Sequence, residues 1–262
     1  MKLFLIIFTI GLFGVITAEI NPRIVGGREA KPHEFPFLVS ITLTETNKSN
    51  CGGTILSDKW ILTAGHCIFN KDLDEIIIRA GKHDLTKIEE GEQIRKPAKF
   101  IVHGDFSPWA IGPNDIGLIV LAEPLNFTNT VKPIDAIPKR NETFSGPAIV
   151  SGWGSTSLTL DPEFPEKLQT ATVPILPHNI CADALTAVDY TEKHLCTGPL
   201  GGKIGHCGGD SGGPLVIKDN NGKFMVIGIS SFSYTPCGTE NIPPAFTRLS
   251  SFINWMDSKI VY

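Results

Sequence analysis

Short apolar segments separated by turn residues recur along most of the chain. In the first half they cover residues 37–43, 53–56, 60–63, 75–80, 99–102 and 116–121. In the second half they cover residues 148–151, 168–175, 194–197, 214–218, 224–231 and 245–249. Segments of this length, rich in β-branched residues and spaced by turns, are typical of an all-β sandwich or barrel and not of alternating βαβ units.

A few segments depart from this pattern. Residues 131–140 contain prolines and alternate unevenly, so we expect the chain to cross there between two halves. Helical spacing appears near the end, after a serine pair that can act as an N-cap, and predicts an amphipathic helix over about 251–260. Its apolar positions are Phe252, Trp255, Met256 and Ile260. Residues 178–188 suit a short helix, and residues 219–222 suit a hairpin turn.

The first apolar segment differs from all the others. Lys2 precedes an apolar run at residues 3–16, and the small residues Thr17 and Ala18 follow it. This order is typical of a secretory signal peptide. The alternative is a membrane anchor, but the run is shorter than the ~20 apolar residues that a spanning helix needs. We therefore expect a signal peptide at residues 1–18, a secreted, extracellular protein and no membrane association.

Composition narrows the class further. The 262 residues carry a formal charge of −4 without a basic block, which argues against a nucleic-acid partner. Six cysteines suit an oxidising compartment, their spacing leaves the pairing open, and no C-x-x-C suggests a zinc knuckle. They are Cys51, Cys67, Cys181, Cys196, Cys207 and Cys237. N-x-S/T sequons at Asn47, Asn126 and Asn141 are candidate glycosylation sites.

Three separated stretches carry residues suited to nucleophilic catalysis. Glycines surround Ser211 in residues 208–214, His66 follows an apolar strand, and Asp115 opens another. A serine hydroxyl needs a nearby base and donors for the oxyanion that it creates. Histidine accepts a proton near neutral pH, and a buried carboxylate fixes its tautomer. The alternatives are a glycine-rich surface turn, a structural histidine and an acid facing water.

Together with Ile24–Gly27 and Ser151–Gly154, these stretches resemble the trypsin/chymotrypsin family of serine endopeptidases. The resemblance runs from Ile24 to about Ile260. It implies an all-β fold of two six-stranded antiparallel β-barrels, at about 24–135 and 136–250, with a C-terminal α-helix. It also implies that residues 24–262 form one protease domain, with the active site between the barrels.

The same resemblance assigns chemical roles. It implies that Ser211 is the nucleophile, that His66 is the general base, and that Asp115 orients His66. It implies that the backbone N–H groups of Gly209 and Ser211 form the oxyanion hole, and that Ser231 supports the buried acid. The implied disulfides are Cys51–Cys67, Cys181–Cys196 and Cys207–Cys237.

The resemblance further implies a zymogen. Residues 19–23 would be an activation peptide, and another protease would cut after Arg23. The new amine of Ile24 would then pair with Asp210, the acid that precedes the nucleophile.

The implied substrate pocket consists of Gly205, His206, Ser231, Phe232, Ser233 and Pro244. Trypsin-like members have an aspartate where Gly205 lies at the pocket floor, so cleavage after Arg or Lys is disfavoured. Ser233 and Pro244 replace small residues, and His206 is either a polar wall residue or, when protonated, an acceptor of acidic side chains. We expect hydrophobic or medium-sized P1 residues. Gly112 should open the next subsite, which Trp109 fills unless it belongs to the core.

No cofactor or metal is expected. Residues 82–92 correspond to a calcium loop in some relatives, but Lys82 replaces one acid and can pair with Glu92 instead. The expected partners are protein or peptide substrates, the activating protease and possible protein inhibitors, with the protein a monomer. A digestive, venom or tissue-degrading role fits this simple organisation. The alternative is an inactive homologue that acts as a secreted binding protein.

Overall fold

The computed structural model describes residues 24–109 and 112–260. The expected signal peptide and activation peptide, including Arg23, lie outside the described residues. Strands dominate the fold, and they form two antiparallel sheets of seven strands each. Within the described ranges, no helix is both long enough and apolar enough to cross a bilayer.

The elements follow in chain order. The strands are β1 Arg28–Glu29, β2 Leu38–Leu43, β3 Ser49–Ile55, β4 Trp60–Thr63, β5 Ile76–Ala80, β6 Gln93–Arg95, β7 Pro97–Val102, β8 Gly117–Leu121, β9 Gly146–Gly152, β10 Gln169–Ile175, β11 His194–Cys196, β12 Pro214–Lys218, β13 Phe224–Phe232 and β14 Ala245–Arg248. The α-helices are α1 Gly65–Ile68, α2 His178–Ala184 and α3 Ile253–Lys259, and a 3-10 turn at Leu249–Ser251 precedes α3.

The first sheet closes into a barrel. Its strand order is β6-β5-β2-β3-β4-β8-β7, so β6 and β7 lie at opposite edges although only Lys96 separates them along the chain. One bent strand over 93–102 therefore joins both edges. Counted in this way, the barrel has the six strands that were predicted. Large apolar side chains fill its interior, among them Ile41, Leu62, Ile78 and Leu118.

The second sheet also closes, and it gains one extra strand. Its order is β1-β10-β9-β12-β13-β14-β11. An antiparallel bridge between Ile175 and Thr197 connects the end of β10 to the residue after β11, which completes a six-stranded barrel. The seventh strand is β1, where Arg28 pairs with Thr170. Residues 28–29 thus join the second barrel, although they were expected at the start of the first.

The two barrels meet along the segment that contains Ser211. The backbone N–H of Gly52 on β3 donates to the carbonyl of Ser211 at 2.7 Å. A Cβ atom at Gly52 would lie 2.8 Å from Cα of Gly213, so the two barrels approach closely here only because a glycine occupies this position. A second contact joins the two halves of the chain, where the Trp153 indole N–H donates to the carbonyl of His83 at 3.0 Å.

The predicted helices and disulfides are both present in the structure. Helix α3 begins at Ile253, slightly later than predicted, because the 3-10 turn takes the preceding residues. Its Met256, together with Phe252, packs into the core of the first barrel. The predicted pairings Cys51–Cys67, Cys181–Cys196 and Cys207–Cys237 are confirmed, with Cα–Cα distances of 6.2, 5.9 and 5.7 Å.

Candidate active site

The buried carboxylate of Asp115 binds both the backbone and the imidazole ring of His66. The short helix Gly65–Ile68 presents His66, whose Nδ1 lies 2.8 Å from Oδ2 of Asp115. The backbone N–H of His66 donates to the other carboxylate oxygen at 2.9 Å. The hydroxyl of Ser231 donates to Oδ2 at 2.6 Å, and the hydroxyl of Thr247 donates to the Asp115 carbonyl at 2.7 Å. These bonds fix both the ring orientation and the Nδ1–H tautomer.

The electrostatics of this pair favour its charged forms. Burial tends to lower the pKa of His66, but the hydrogen bond and the charge of Asp115 outweigh burial and raise it. Burial tends to raise the pKa of Asp115, but the hydrogen bonds and charge of His66, with the hydroxyl of Ser231, lower it. Asp115 is therefore an ionised partner that stabilises a protonated imidazole.

The segment that contains Ser211 packs against the residues that precede His66. A Cβ atom at Gly212 would lie 3.1 Å from the backbone nitrogen of Ala64, which places the serine segment against the strand that leads to His66. Ser211 itself is half-buried. Among the residues that the structure describes, no hydrogen bond joins the Ser211 hydroxyl to the imidazole. Such bonds commonly tighten only when substrate is bound.

The turn before Ser211 has a backbone conformation that requires glycine. Gly209 has φ +96°, and a Cβ atom there would lie 3.0 Å from Cα of Gly154 and 3.2 Å from Cε1 of Phe164. The Asp210 N–H donates to the carbonyl of Cys207 at 3.0 Å and closes the turn. Turns of this kind present successive backbone N–H groups to an anion.

Asp210 is a buried carboxylate without a cationic partner among the described residues. Its two oxygens accept the backbone N–H groups of Gly154 at 2.7 Å and Cys207 at 2.9 Å. Burial raises its pKa to about 6 despite these two bonds. A Cβ atom at Gly152 or at Gly154 would collide with the carboxylate. Ile24 is fully buried in the second barrel.

The expected pocket floor is narrow. The N–H of Gly205 donates to the carbonyl of Val25 at 3.2 Å, and a Cβ atom at Gly205, which has φ +150°, would lie 3.0 Å from Cγ of Pro244. Pro244 is buried and covers the floor. The Ser233 hydroxyl lies 3.8 Å from Sγ of Cys237, beside the disulfide. The atoms nearest to that Cβ position all belong to Pro244, so no described acidic side chain lies against it.

His206 is a core residue, only 3% exposed. Its ring packs edge-on against Phe246 with the centroids 4.5 Å apart. Burial lowers its pKa to about 4, so the imidazole is neutral at pH 7. The geometry does not favour the alternative in which a protonated His206 accepts an acidic substrate side chain.

A cavity of about 290 Å³ opens beside the histidine and the acid. Its lining residues are His66, Phe69, Phe106, Ser107, Pro108, Trp109, Gly112, Asp115, Ser231 and Phe232. Trp109 is 94% exposed, so it borders the cavity and is not a core residue. A Cβ atom at Gly112 would lie 3.4 Å from Cβ of Asp189. That distance is an ordinary van der Waals contact, and the open subsite expected at Gly112 stays a prediction.

The predicted pairing in the 82–92 loop is present. The Lys82 ammonium donates to Oε2 of Glu92 at 3.0 Å and to the carbonyl of Lys87, and Arg79 lies 2.8 Å from the other Glu92 oxygen. The Lys82 ammonium is thus buried and bound to one carboxylate and one backbone carbonyl of this loop. In the described part of the chain, the one grouping with metal-ligand spacing joins His66 to the Cys51–Cys67 disulfide, which offers no thiolate.

The three sequons lie on the surface. Asn47, Asn126 and Asn141 are all exposed, as a glycosylation acceptor must be. The side-chain oxygen of Asn47 accepts a hydrogen bond from Arg79 at 2.6 Å.

Several site residues were missed by the sequence analysis. Thr247 supports Asp115, Phe69 and Phe106 line the cavity, and Phe164 contacts Gly209. Phe69 lies only three residues after His66, so proximity in sequence was one available signal. No sequence pattern marks Thr247 or Phe164, because each reaches the site through a separate loop or strand.

Comparisons with known proteins agree with this geometry. A family model described as Trypsin matches residues 24–256. Trypsin-1 of Astacus astacus is 36% identical over 91% of this chain and 100% of its own length. Kallikrein 1-related peptidase b27 of Mus musculus is 34% identical over 97% of this chain and 96% of its own length. An ovochymase of Halocynthia roretzi is 35% identical over 89% of this chain, which spans only 15% of that protein. The chain therefore belongs to the trypsin family and is a serine endopeptidase.

Proposed function

We propose that the protein is a secreted endopeptidase that cuts protein or peptide substrates through an acyl-enzyme formed on Ser211. The observation that carries this proposal is the pair of His66 with the buried Asp115, joined at 2.8 Å and supported by Ser231. That pair can accept the serine proton and bear the resulting positive charge. The glycine turn beside it supplies the donors that the developing oxyanion needs.

In the proposed mechanism, His66 takes the proton of Ser211 as the hydroxyl attacks the carbonyl carbon of the substrate. The oxyanion forms against the backbone N–H groups of Gly209 and Ser211. His66 then gives its proton to the leaving amine, and the acyl-enzyme remains. A water molecule, deprotonated by His66, then attacks the acyl carbon; the bond to the Ser211 oxygen breaks, and His66 returns the proton to that oxygen as the acid leaves. Asp115 stays ionised throughout, which agrees with its lowered pKa.

Activation is proposed to follow cleavage after Arg23. Ile24 is buried, and Asp210 is a buried carboxylate whose pKa is raised to about 6. A free amine at Ile24 would supply the positive charge that this carboxylate lacks. The expected outcome is that an Arg23→Gln precursor stays inactive after treatment with an Arg-specific protease. Full activity of that precursor would contradict the zymogen proposal.

The proposed P1 preference is a hydrophobic or medium-sized side chain. The floor at Gly205 has no acid, Pro244 covers it, and His206 is neutral. A peptide library varied at P1 tests this preference. Efficient cleavage after Arg alone would contradict it.

The decisive experiment is labelling of the activated protein with a fluorophosphonate, with Ser211→Ala as the control. We expect stoichiometric labelling of the wild type and none of the variant. An absence of labelling in the wild type would support the alternative of an inactive homologue that acts as a binding protein. Peptide hydrolysis by the same preparation then confirms turnover.

A further inference from the structure

The residue before the buried acid is held at both ends of its side chain. Asn114 is buried, and its amide nitrogen donates to the carbonyl of Asp105 at 3.2 Å. Its amide oxygen accepts a hydrogen bond from the ammonium of Lys193 at 2.8 Å. An ammonium can only donate, so this bond also fixes which way the amide faces. Asn114 lies between β7 and β8, whereas Lys193 lies between α2 and β11, so the bond joins the two halves of the chain.

The backbone at Asn114 transmits its position to Asp115. Asn114 has φ +69°, a left-handed conformation that costs free energy and is kept only where surrounding contacts hold it. Its carbonyl accepts the N–H of Ile116 at 2.9 Å, which closes a three-residue turn with Asp115 in the middle. A rotation at the first residue of so tight a turn moves the middle residue. The contacts of the Asn114 side chain therefore help to set where the Asp115 carboxylate lies.

The segment that carries Lys193 is itself anchored. Its carbonyl accepts the N–H of Arg248 at 2.7 Å, at the end of β14. The ammonium also lies 5.8 Å from the ring centroid of Phe252, a distance that allows a cation–π interaction. A few residues earlier in this segment, Cβ of Asp189 lies 3.4 Å from the position of a Cβ atom at Gly112. Residues 189–193 thus pack against the stretch that leads to the buried acid.

We propose that Lys193 is a positioning residue for catalysis, which acts through Asn114 to hold Asp115 against His66. This inference rests on the proposed function. In that mechanism Asp115 and His66 come from the first half of the chain and Ser211 from the second, which is also the half that carries Lys193. The bond from Lys193 to Asn114 therefore helps to fix the acid relative to the nucleophile. Small displacements of a catalytic group from its working geometry are costly in rate.

The first test compares substitutions of Lys193 in the activated protein. Lys193→Met leaves the buried Asn114 oxygen without its donor. We expect kcat for peptide hydrolysis to fall about tenfold while KM stays within about twofold, because the base is misplaced and the substrate contacts are not. Lys193→Arg keeps a cationic donor and should restore most of the rate. Lys193→Ala should repeat the loss, so the result does not depend on the folding of one variant.

The matched control is Lys259→Met. Lys259 is exposed near the end of α3, and its charge, like that of Lys193, lowers the pKa of His103. Among the described contacts, it forms no hydrogen bond with Asn114. This variant removes a positive charge from the same neighbourhood and should keep the wild-type rate. All rates are expressed per active site, counted by fluorophosphonate labelling taken to completion, so that unfolded protein does not contribute.

The pH profile separates positioning from the loss of a charge. The groups that face Asp115 are the imidazole of His66 and the hydroxyls of Ser231 and Thr247, and Asp115 is the charged group that raises the pKa of His66. A displaced Asp115 should move the acid limb of kcat/KM to lower pH in Lys193→Met. Loss of a positive charge alone would favour the protonated imidazole and move the limb to higher pH. A limb that stays in place or moves higher overturns the inference.

A double substitution tests whether Lys193 acts through Asn114. Asn114→Gly removes the amide, and glycine accepts the left-handed backbone at this position. Adding Lys193→Met to this variant should then change kcat by less than twofold, and effects that multiply independently would overturn the inference. Fluorophosphonate labelling distinguishes the two levels of the argument. An unlabelled wild type removes the proposed function and this inference together, whereas a labelled wild type without the Lys193 effect removes the inference alone.

Discussion

Asp210 should make the uncleaved protein less stable as the pH rises. In the uncleaved chain Ile24 is joined to Arg23, so it has no free amine to offer the carboxylate. Burial raises the pKa of Asp210 from 3.8 to about 6. The folded state therefore holds its proton more tightly than the unfolded state, and stability is lost as the pH rises from about 4 to above 6. At about 1.4 kcal/mol per pKa unit, the loss is about 3 kcal/mol.

The perturbation is Asp210→Asn, made in a Ser211→Ala background so that no self-cleavage occurs. The amide cannot ionise, so the loss with pH should disappear. One backbone N–H, of Gly154 or Cys207, will face the amide nitrogen instead of an oxygen, but that penalty does not depend on pH. The difference in unfolding free energy between the two proteins should therefore move by about 3 kcal/mol between pH 3.5 and pH 7, in favour of asparagine.

The assay is urea unfolding of both uncleaved proteins at intervals across this pH range. Comparing the pair cancels the other titrating groups, because only residue 210 differs. After cleavage at Arg23 the Ile24 ammonium should lower the pKa of Asp210 and reverse the trend, so that Asp210 is preferred at pH 7. A difference that stays constant from pH 3.5 to pH 7 in the uncleaved pair would refute the reasoning.

Three further predictions concern the Asp115–His66 pair and the 82–92 loop. Ser231→Ala removes a 2.6 Å hydrogen bond to ionised Asp115 and should lower kcat/KM by about tenfold, with labelling stoichiometry as the check on folding. Because the pKa of His66 is raised above 6.5 and the base must be neutral, kcat/KM should fall as the pH drops through a pKa above that value; an acid limb below pH 6 would contradict this. Lys82→Met leaves Glu92 with Arg79 alone and should destabilise the protein by about 1–3 kcal/mol, whereas EDTA should not change the melting temperature of the wild type.

The sequence was sufficient to predict most of the strands and to nominate the residues of the candidate site. Alternating apolar segments report which faces of a strand are buried, so most strands lie close to the predicted segments. His66, Asp115 and Ser211 were identifiable because each is an expensive or reactive residue in a distinctive local setting. The disulfide pairing followed from the resemblance, and the geometry confirmed it.

Contacts between distant segments were decided only by the tertiary structure. A buried apolar face does not reveal which partner covers it, so the placement of β1 in the second barrel could not be read from its two residues. His206 looked like a pocket wall residue, but the ring of Phe246 and the surrounding burial make it a neutral core residue. Phe164 is an ordinary loop residue in the sequence and becomes a neighbour of Gly209 only when two loops pack together. Sequence patterns thus determined which residues can do chemistry, and packing between remote loops decided what surrounds them, because local periodicity contains no information about contacts across the fold.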